Sequence, residues 1–157
     1  QLLTLPITFQ EVVLGKFFAA LGILLVGFLF TIFYALSIGL LLPKEASFDF
    51  GMVLGGYIGL IFLAGSFISI GLFASVLSKN QVIAFVMGLA LCFFFYAVDK
   101  FAVLMPKISG LLEYLSVDVH FNNVAKGVLD SKDVVFYLSL MIFFLFLTIR
   151  SLAKVGK

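Results

Sequence analysis

The sequence predicts an all-α protein, a polytopic bundle of membrane helices, and two observations predict this fold class. First, four long apolar runs contain no charged residue: 17–42, 51–77, 81–98 and 134–149. A helix needs about 20 apolar residues to cross a bilayer, because ~1.5 Å of rise per residue must span ~30 Å of hydrocarbon. Second, 64% of the residues are hydrophobic and 11% are charged, against about 25% charged in soluble domains. We therefore expect a single membrane domain over residues 1–157 with four transmembrane helices.

Residues 1–16 are predicted to lead into the first span, 17–42. The chain opens with Gln1 inside an apolar phrase, so we expect it to be a piece of a longer polypeptide. Thr8 and Glu11 have the T-x-x-E spacing of a capping box, in which a hydroxyl and a carboxylate satisfy the first free N–H groups of a helix. This spacing predicts a helix start at Thr8 and gives Glu11 a structural role.

The second span, 51–77, carries small residues at four-residue spacing, which place a smooth strip on one helix face. Lipid tails are as apolar as leucine, so close backbone packing has to drive helix association in a membrane. We therefore predict that this helix is central and contacted on several sides. The glycines expected to support its packing are Gly51, Gly55, Gly59 and Gly71.

A three-residue turn, 78–80, separates the second span from the third, 81–98. A connection this short predicts two antiparallel helices lying side by side. Ser78 and Gln81 have the spacing of a second capping box, which predicts that Ser78 starts the third helix.

Residues 99–132 are too polar to span a membrane and too apolar for a free loop, so we predict a segment at the external membrane interface. Gly110 and Gly127 are expected to break it into short helices over 111–119 and 121–129. The last span, 134–149, consists almost entirely of large side chains, which favours a peripheral, lipid-facing position.

Few residues carry chemistry. No G-x-x-x-x-G-K-[ST] motif is present, so the chain is not predicted to cradle nucleotide phosphates. His120 is the single histidine and no C-x-x-C is present, so no zinc site is predicted. His120 with Asp118 and Glu113 forms a candidate external polar group, because ionisable residues at membrane depth are often functional. We predict no catalytic residue, no metal site and no cofactor on this chain, and the small net charge of +2 gives no reason to expect a nucleic-acid partner.

Charge counting does not orient the helices. With four spans both chain ends lie on the side of the 78–80 turn, and each side carries five Lys or Arg residues. The positive-inside rule therefore does not decide which side is cytoplasmic.

Four phrases in this sequence resemble the ABC-2-type permease family, and in particular the permease subunit of the gliding-motility ABC transporter. The first is LLTLPITFQEVVLGKFFAA at 2–20, in which an apolar LL-T-L-P segment precedes a capping box and G-K-F. The others are GGYIGL at 55–60, IGLFAS at 70–75 with Asn80-Gln81, and His120-Phe121 followed by GVLD at 127–130. They follow one another in the family's order along essentially the whole chain.

This resemblance implies that the chain corresponds to the last four helices of a six-helix permease. It places the end of a cytoplasmic coupling segment, which docks on an ABC ATPase subunit, at Leu2, Leu3, Thr4, Leu5 and Pro6. It further implies a multi-pass protein of the bacterial inner (cytoplasmic) membrane with both ends cytoplasmic, ATP and Mg²⁺ on the partner ATPase, and a second permease subunit.

The leading hypothesis is therefore a permease subunit that moves an unidentified substrate with a separate ATPase, and not an enzyme itself. Two alternatives stay open. One is a membrane-embedded enzyme acting on lipid, with His120, Asp118 and Glu113 as its polar group. The other is a non-catalytic membrane assembly protein.

Overall fold

The computed structural model describes residues 8–41, 49–103, 109–126 and 130–155, and these residues form helices without any strand. Six α-helices follow in order: α1 (Phe9–Leu41), α2 (Phe50–Leu77), α3 (Gln81–Ala97), α4 (Ser109–Leu115), α5 (Val117–Ala125) and α6 (Ser131–Val155). A 3₁₀ helix, Val98–Val103, continues directly from α3. The predicted all-α class is confirmed for the described residues.

Polar side chains at the helix starts explain where the helices begin. The predicted capping box of α1 is present: the Thr8 N–H donates to Glu11 Oε2 at 2.8 Å, and the Glu11 N–H donates to Thr8 Oγ1 at 3.3 Å. Asp49 caps α2 by accepting from the Met52 N–H at 3.1 Å. Each cap satisfies an N–H group that has no partner within its own helix.

The capping box predicted at Ser78 and Gln81 is wrong, because Asn80 caps α3 instead. Its Oδ1 accepts from the Val82 N–H at 2.9 Å and from the Ile83 N–H. Ser78 contacts Asn80 within the turn, and its hydroxyl accepts from the Asn80 N–H at 3.1 Å. Asn is at least as good a cap as Ser, and Asn80 lies directly before the first helical residue.

Helix α2 is central, as its small residues predict, because it contacts α1, α3, α5 and α6. The core beside it contains Ile70 of α2, Val117 of α5, and three residues of α6, Tyr137, Leu140 and Phe144. Phe144 packs against aromatic rings of both α2 and α3, with ring centroids 5.6 Å from Phe73 and 5.7 Å from Phe95.

The prediction of a peripheral last helix is wrong. Helix α6 buries one stripe of side chains at three- and four-residue spacing: Asp133, Tyr137, Leu140, Phe144 and Thr148. Small residues on α2 leave the space that these large side chains need. A Cβ added at Gly65 would lie 2.7 Å from the Met141 sulfur, so the Met141 side chain of α6 would have to move to admit it.

Helix α1 takes the peripheral position instead. Its buried residues are Val13 and Phe17, both in its first three turns. Most of its remaining large side chains are exposed, including Ile23, Phe30 and Leu40. In a bilayer such a surface meets lipid or another apolar helix.

Three helices are long and apolar enough to cross a membrane: α1, α2 and α6. Helix α3 is equally apolar but has 17 residues, or about 25 Å of rise. The structure thus gives three candidate spans and one shorter apolar helix.

Within the segment 99–132, the helices differ from the prediction. The break between α4 and α5 falls at Ser116, whose hydroxyl accepts from the Val119 N–H at 3.4 Å, so His120 lies within a helix. Gly110 lies inside α4 and does not end it. Gly127 lies outside the described residues.

Candidate functional site

A buried histidine–aspartate pair joins α5 to the first turn of α6. His120 Nδ1 lies 2.5 Å from Asp133 Oδ1, and both side chains are withdrawn from solvent. The other ring nitrogen, Nε2, lies 3.2 Å from the Tyr114 carbonyl oxygen of α4. A carbonyl oxygen can only accept, so Nε2 donates to it. Both ring nitrogens are thus hydrogen-bonded, one to each neighbouring element.

Aromatic rings enclose this pair. The Phe136 ring stacks on His120 with centroids 4.0 Å apart and planes 20° apart. Tyr137 lies beside it, donates from its hydroxyl to the Val117 carbonyl at 3.0 Å, and stacks on Phe62 of α2. Through these contacts the polar cluster of α4, α5 and α6 is connected to the central helix.

Asp133 contributes one feature that the sequence did not single out. Its Oδ2 is buried and has no hydrogen-bond partner among the described residues. The other carboxyl oxygen, Oδ1, bonds to His120 Nδ1. Nothing in the spacing of Asp133 from His120 predicts this contact.

The three residues of the predicted external polar group take part in separate contacts. Asp118 forms an ion pair with Lys100 at 2.9 Å, whereas His120 pairs with Asp133. Glu113 is exposed on α4 and lines a cavity of about 210 Å³ together with His120 and Lys132. Among the residues that the structure describes, no group of three or more His, Cys, Asp or Glu side chains has the arrangement of a metal site.

A second, exposed pair lies at the start of α6. The Lys132 ammonium is 3.0 Å from Asp130 Oδ2, and the Lys132 N–H donates to Asp130 Oδ1 at 3.3 Å. These hydrogen bonds hold the pKa of the Asp130 carboxyl below its ordinary value, the side-chain one having the larger effect.

The four glycines predicted to support packing lie in different environments. Gly59 faces α5, since a Cβ there would lie 3.2 Å from Val124 Cγ1. The Gly71 backbone contacts α3, since a Cβ on Gly88 would lie 3.7 Å from the Gly71 Cα, but a Cβ on Gly71 itself would meet no heavy atom within 4 Å. Gly55 is buried and Gly51 is exposed. The predicted coupling residues, Leu2 to Pro6, lie outside the described residues.

Helices α1 and α2 enclose an apolar groove of about 350 Å³ along their sides. Leucine, isoleucine, valine, alanine and phenylalanine side chains line it, with Tyr57 as its one polar residue. The Tyr57 hydroxyl donates to Thr31 Oγ1 at 3.0 Å and links the two helices. This bond satisfies the Tyr57 hydroxyl, while the Thr31 hydroxyl itself donates to the Phe28 carbonyl of its own helix at 2.8 Å.

Comparison with known families decides what kind of protein this is. A family model described as "ABC-2 family transporter protein" matches residues 1–155. The chain belongs to the ABC-2 transporter family. No curated protein and no solved structure matches it.

Membership of the ABC-2 family assigns the chain to a functional class. It is a multi-pass membrane component of an ABC transporter, a class of protein that associates with an ABC ATPase. The apolar lengths of α1, α2 and α6 agree with this location in the membrane. The resemblance seen in the sequence is thus confirmed at the level of the ABC-2 family.

Proposed function

We propose that this chain is a permease subunit of an ATP-driven ABC-2 transporter, similar to the permease of the gliding-motility transporter, that moves a substrate across the bacterial inner membrane. The observation that carries the proposal is the family match over residues 1–155. The sequence has no phosphate-binding loop, which fits a subunit that relies on a separate ATPase for ATP and Mg²⁺.

The proposed topology has four crossings, α1, α2, α3 and α6, with both chain ends cytoplasmic. Helix α3 is short for a span, but the 3₁₀ helix Val98–Val103 follows it without a break. Helices α4 and α5 then form the external segment, and α6 returns through the bilayer. Four crossings bring the start of α1 and the end of α6 to the same side.

The proposed mechanism alternates between two packed states. ATPase closure would press on Leu2, Leu3, Thr4, Leu5 and Pro6 and move α1. Because most large side chains of α1 are exposed, it would move more easily than α2 and α6, which bury more of theirs. A second permease subunit would complete the pathway.

Reconstitution with a candidate ABC ATPase tests the proposal. ATP hydrolysis in proteoliposomes is expected to rise above that of the ATPase alone and to fall back when Leu3 and Leu5 are both replaced by Asp. Replacing the exposed Phe18 and Phe30 by Leu is the matched control, since it keeps apolar side chains at sites away from the coupling segment.

Unchanged hydrolysis with the intact chain would contradict the permease function. A lipid-modifying activity that needs no ATPase and disappears in His120→Gln would favour the membrane-embedded enzyme instead.

A further inference from the structure

A half-enclosed cavity of about 210 Å³ lies where the start of α1 meets the ends of α2 and α6. Five apolar side chains form most of its wall: Val12, Val13, Leu72, Val76 and Leu152. The polar residues that line it are Lys16, Ser75 and Thr148. The Thr148 hydroxyl donates to the Phe144 carbonyl of its own helix at 2.7 Å. Lys16 is therefore the one charged group that lines this cavity, and no acid lines it.

The cavity lies at the boundary between the apolar helices and the first charged residues. Lys16 directly precedes the charge-free run 17–42, and Leu152 lies two residues before Lys154. Val76 is in the last turn of α2, three residues before Lys79. In a bilayer this is the level where acyl chains meet phosphate headgroups.

The two ends of the molecule differ in how their basic residues are used. At the opposite end, Lys100 is paired with Asp118 and Lys132 with Asp130, and Lys126 lines a cavity together with Asp130 and Asp133. At the cavity end, none of the ion pairs between described residues includes a basic side chain. The described basic residues there are Lys16, Lys79, Arg150 and Lys154.

One acid, Glu11, lies at the cavity end, and its carboxylate accepts from the Thr8 N–H. The two ends thus have equal numbers of basic residues in the sequence, but acids neutralise less of the positive charge at the cavity end. The basic residues there are available to an external anion. At a membrane surface, basic groups attract acidic lipids.

We propose that this cavity binds an anionic phospholipid, with its phosphate on the Lys16 ammonium and an acyl chain along the valine and leucine wall. The charge selects the headgroup and the apolar wall selects a lipid over a small soluble anion. The site goes beyond the proposed transport function and does not depend on it, since it requires the bilayer but no ATPase.

Native mass spectrometry of the full chain, delipidated in detergent, tests the site. Dioleoyl phosphatidylglycerol is expected to bind more tightly than dioleoyl phosphatidylcholine, which has the same acyl chains. Lys16→Gln is expected to weaken phosphatidylglycerol binding about fivefold, because a lysine near an anionic surface contributes about that factor. Lys79→Gln is the matched control: it removes an equal charge at the same end but outside the cavity lining, and binding is expected to persist.

A second variant tests the apolar wall while Lys16 stays in place. Leu152→Trp is expected to fill the cavity and weaken phosphatidylglycerol binding, with an unchanged circular dichroism spectrum as the check on folding. Equal binding of the two lipids would overturn the site. So would equal losses in Lys16→Gln and Lys79→Gln, or displacement of the lipid by soluble glycerol phosphate.

Discussion

Asp133 lies in the first turn of α6, with one carboxylate oxygen on His120 and the other without a hydrogen-bond partner among the described residues. Burying polar side chains costs a few kcal/mol unless their polar atoms are hydrogen-bonded. The bond between His120 and Asp133 and the contact of His120 with the Tyr114 carbonyl offset this cost. The pair is consequently sensitive to any change that removes one partner and leaves the other buried.

Asp133→Asn is expected to lower the free energy of unfolding by about 1–3 kcal/mol, because it removes the carboxyl group that bonds the buried imidazole. The double variant His120→Gln with Asp133→Asn is expected to recover part of this loss, since two neutral amides can hydrogen-bond to each other. Unfolding in mixed micelles measures both values, and the double-mutant cycle gives the coupling between the two residues.

Lys132→Gln provides the control for this prediction, because it breaks the exposed pair with Asp130 and is expected to change the unfolding midpoint little. Additive losses in the single and double variants would show that His120 and Asp133 are not energetically coupled.

Sequence reasoning identified His120 but not its partner. It grouped His120 with the nearest acids along the chain, Glu113 and Asp118. The partner lies thirteen residues further on, beyond the end of α5, where no helical periodicity connects the two positions. Asp133 reaches the imidazole only because the chain folds back after α5 and places the start of α6 beside it.

At the scale of elements, the packing of α2 depends on where its glycines face. Gly59 faces the stiff Val124 side chain of α5, whereas a Cβ at Gly56 would meet no heavy atom within 4 Å. These two glycines lie one turn apart or less on the same helix, so they form a matched pair of sites.

Gly59→Leu is expected to destabilise the bundle by about 1–3 kcal/mol, because the added side chain forces α5 away from α2. Gly56→Leu is expected to be tolerated. Unfolding in mixed micelles, together with elution volume in detergent, measures the difference. Equal stability of the two variants would contradict the close approach of α5 to α2.

The sequence predicts which segments form long helices, but it does not predict which helices lie next to each other. The apolar runs 51–77 and 81–98 match α2 and α3 within a residue at each end, because bilayer thickness sets a strong length signal. The predicted position of α6 is wrong, because a run of large residues has the same sequence pattern whether the helix faces lipid or faces glycines of another helix. The short helices α4 and α5 differed from prediction because the Ser116 cap decided their boundary.

At the scale of the whole molecule, the proposed four crossings place Lys79 and Tyr114 on opposite sides of the membrane. In a Cys92→Ala background, Lys79→Cys is expected to react with a membrane-impermeant maleimide from the cytoplasm. Tyr114→Cys, at an exposed position on α4, is expected to react from outside. Labelling in intact cells and in inverted vesicles measures both.

The reverse labelling pattern would invert the proposed orientation. Reaction of both cysteines from the same side would show that α3 does not cross the bilayer, which its 17 residues make the most sensitive point of the topology.

Helix α1 has 33 residues and is therefore a rod about 50 Å long. Val13 and Phe17 hold it near one end, and the bond from Tyr57 to Thr31 holds it again about 20 Å further along its axis. A rod held at two points so far apart does not swing about its tip, so a push beside Val13 would tilt α1 and α2 together.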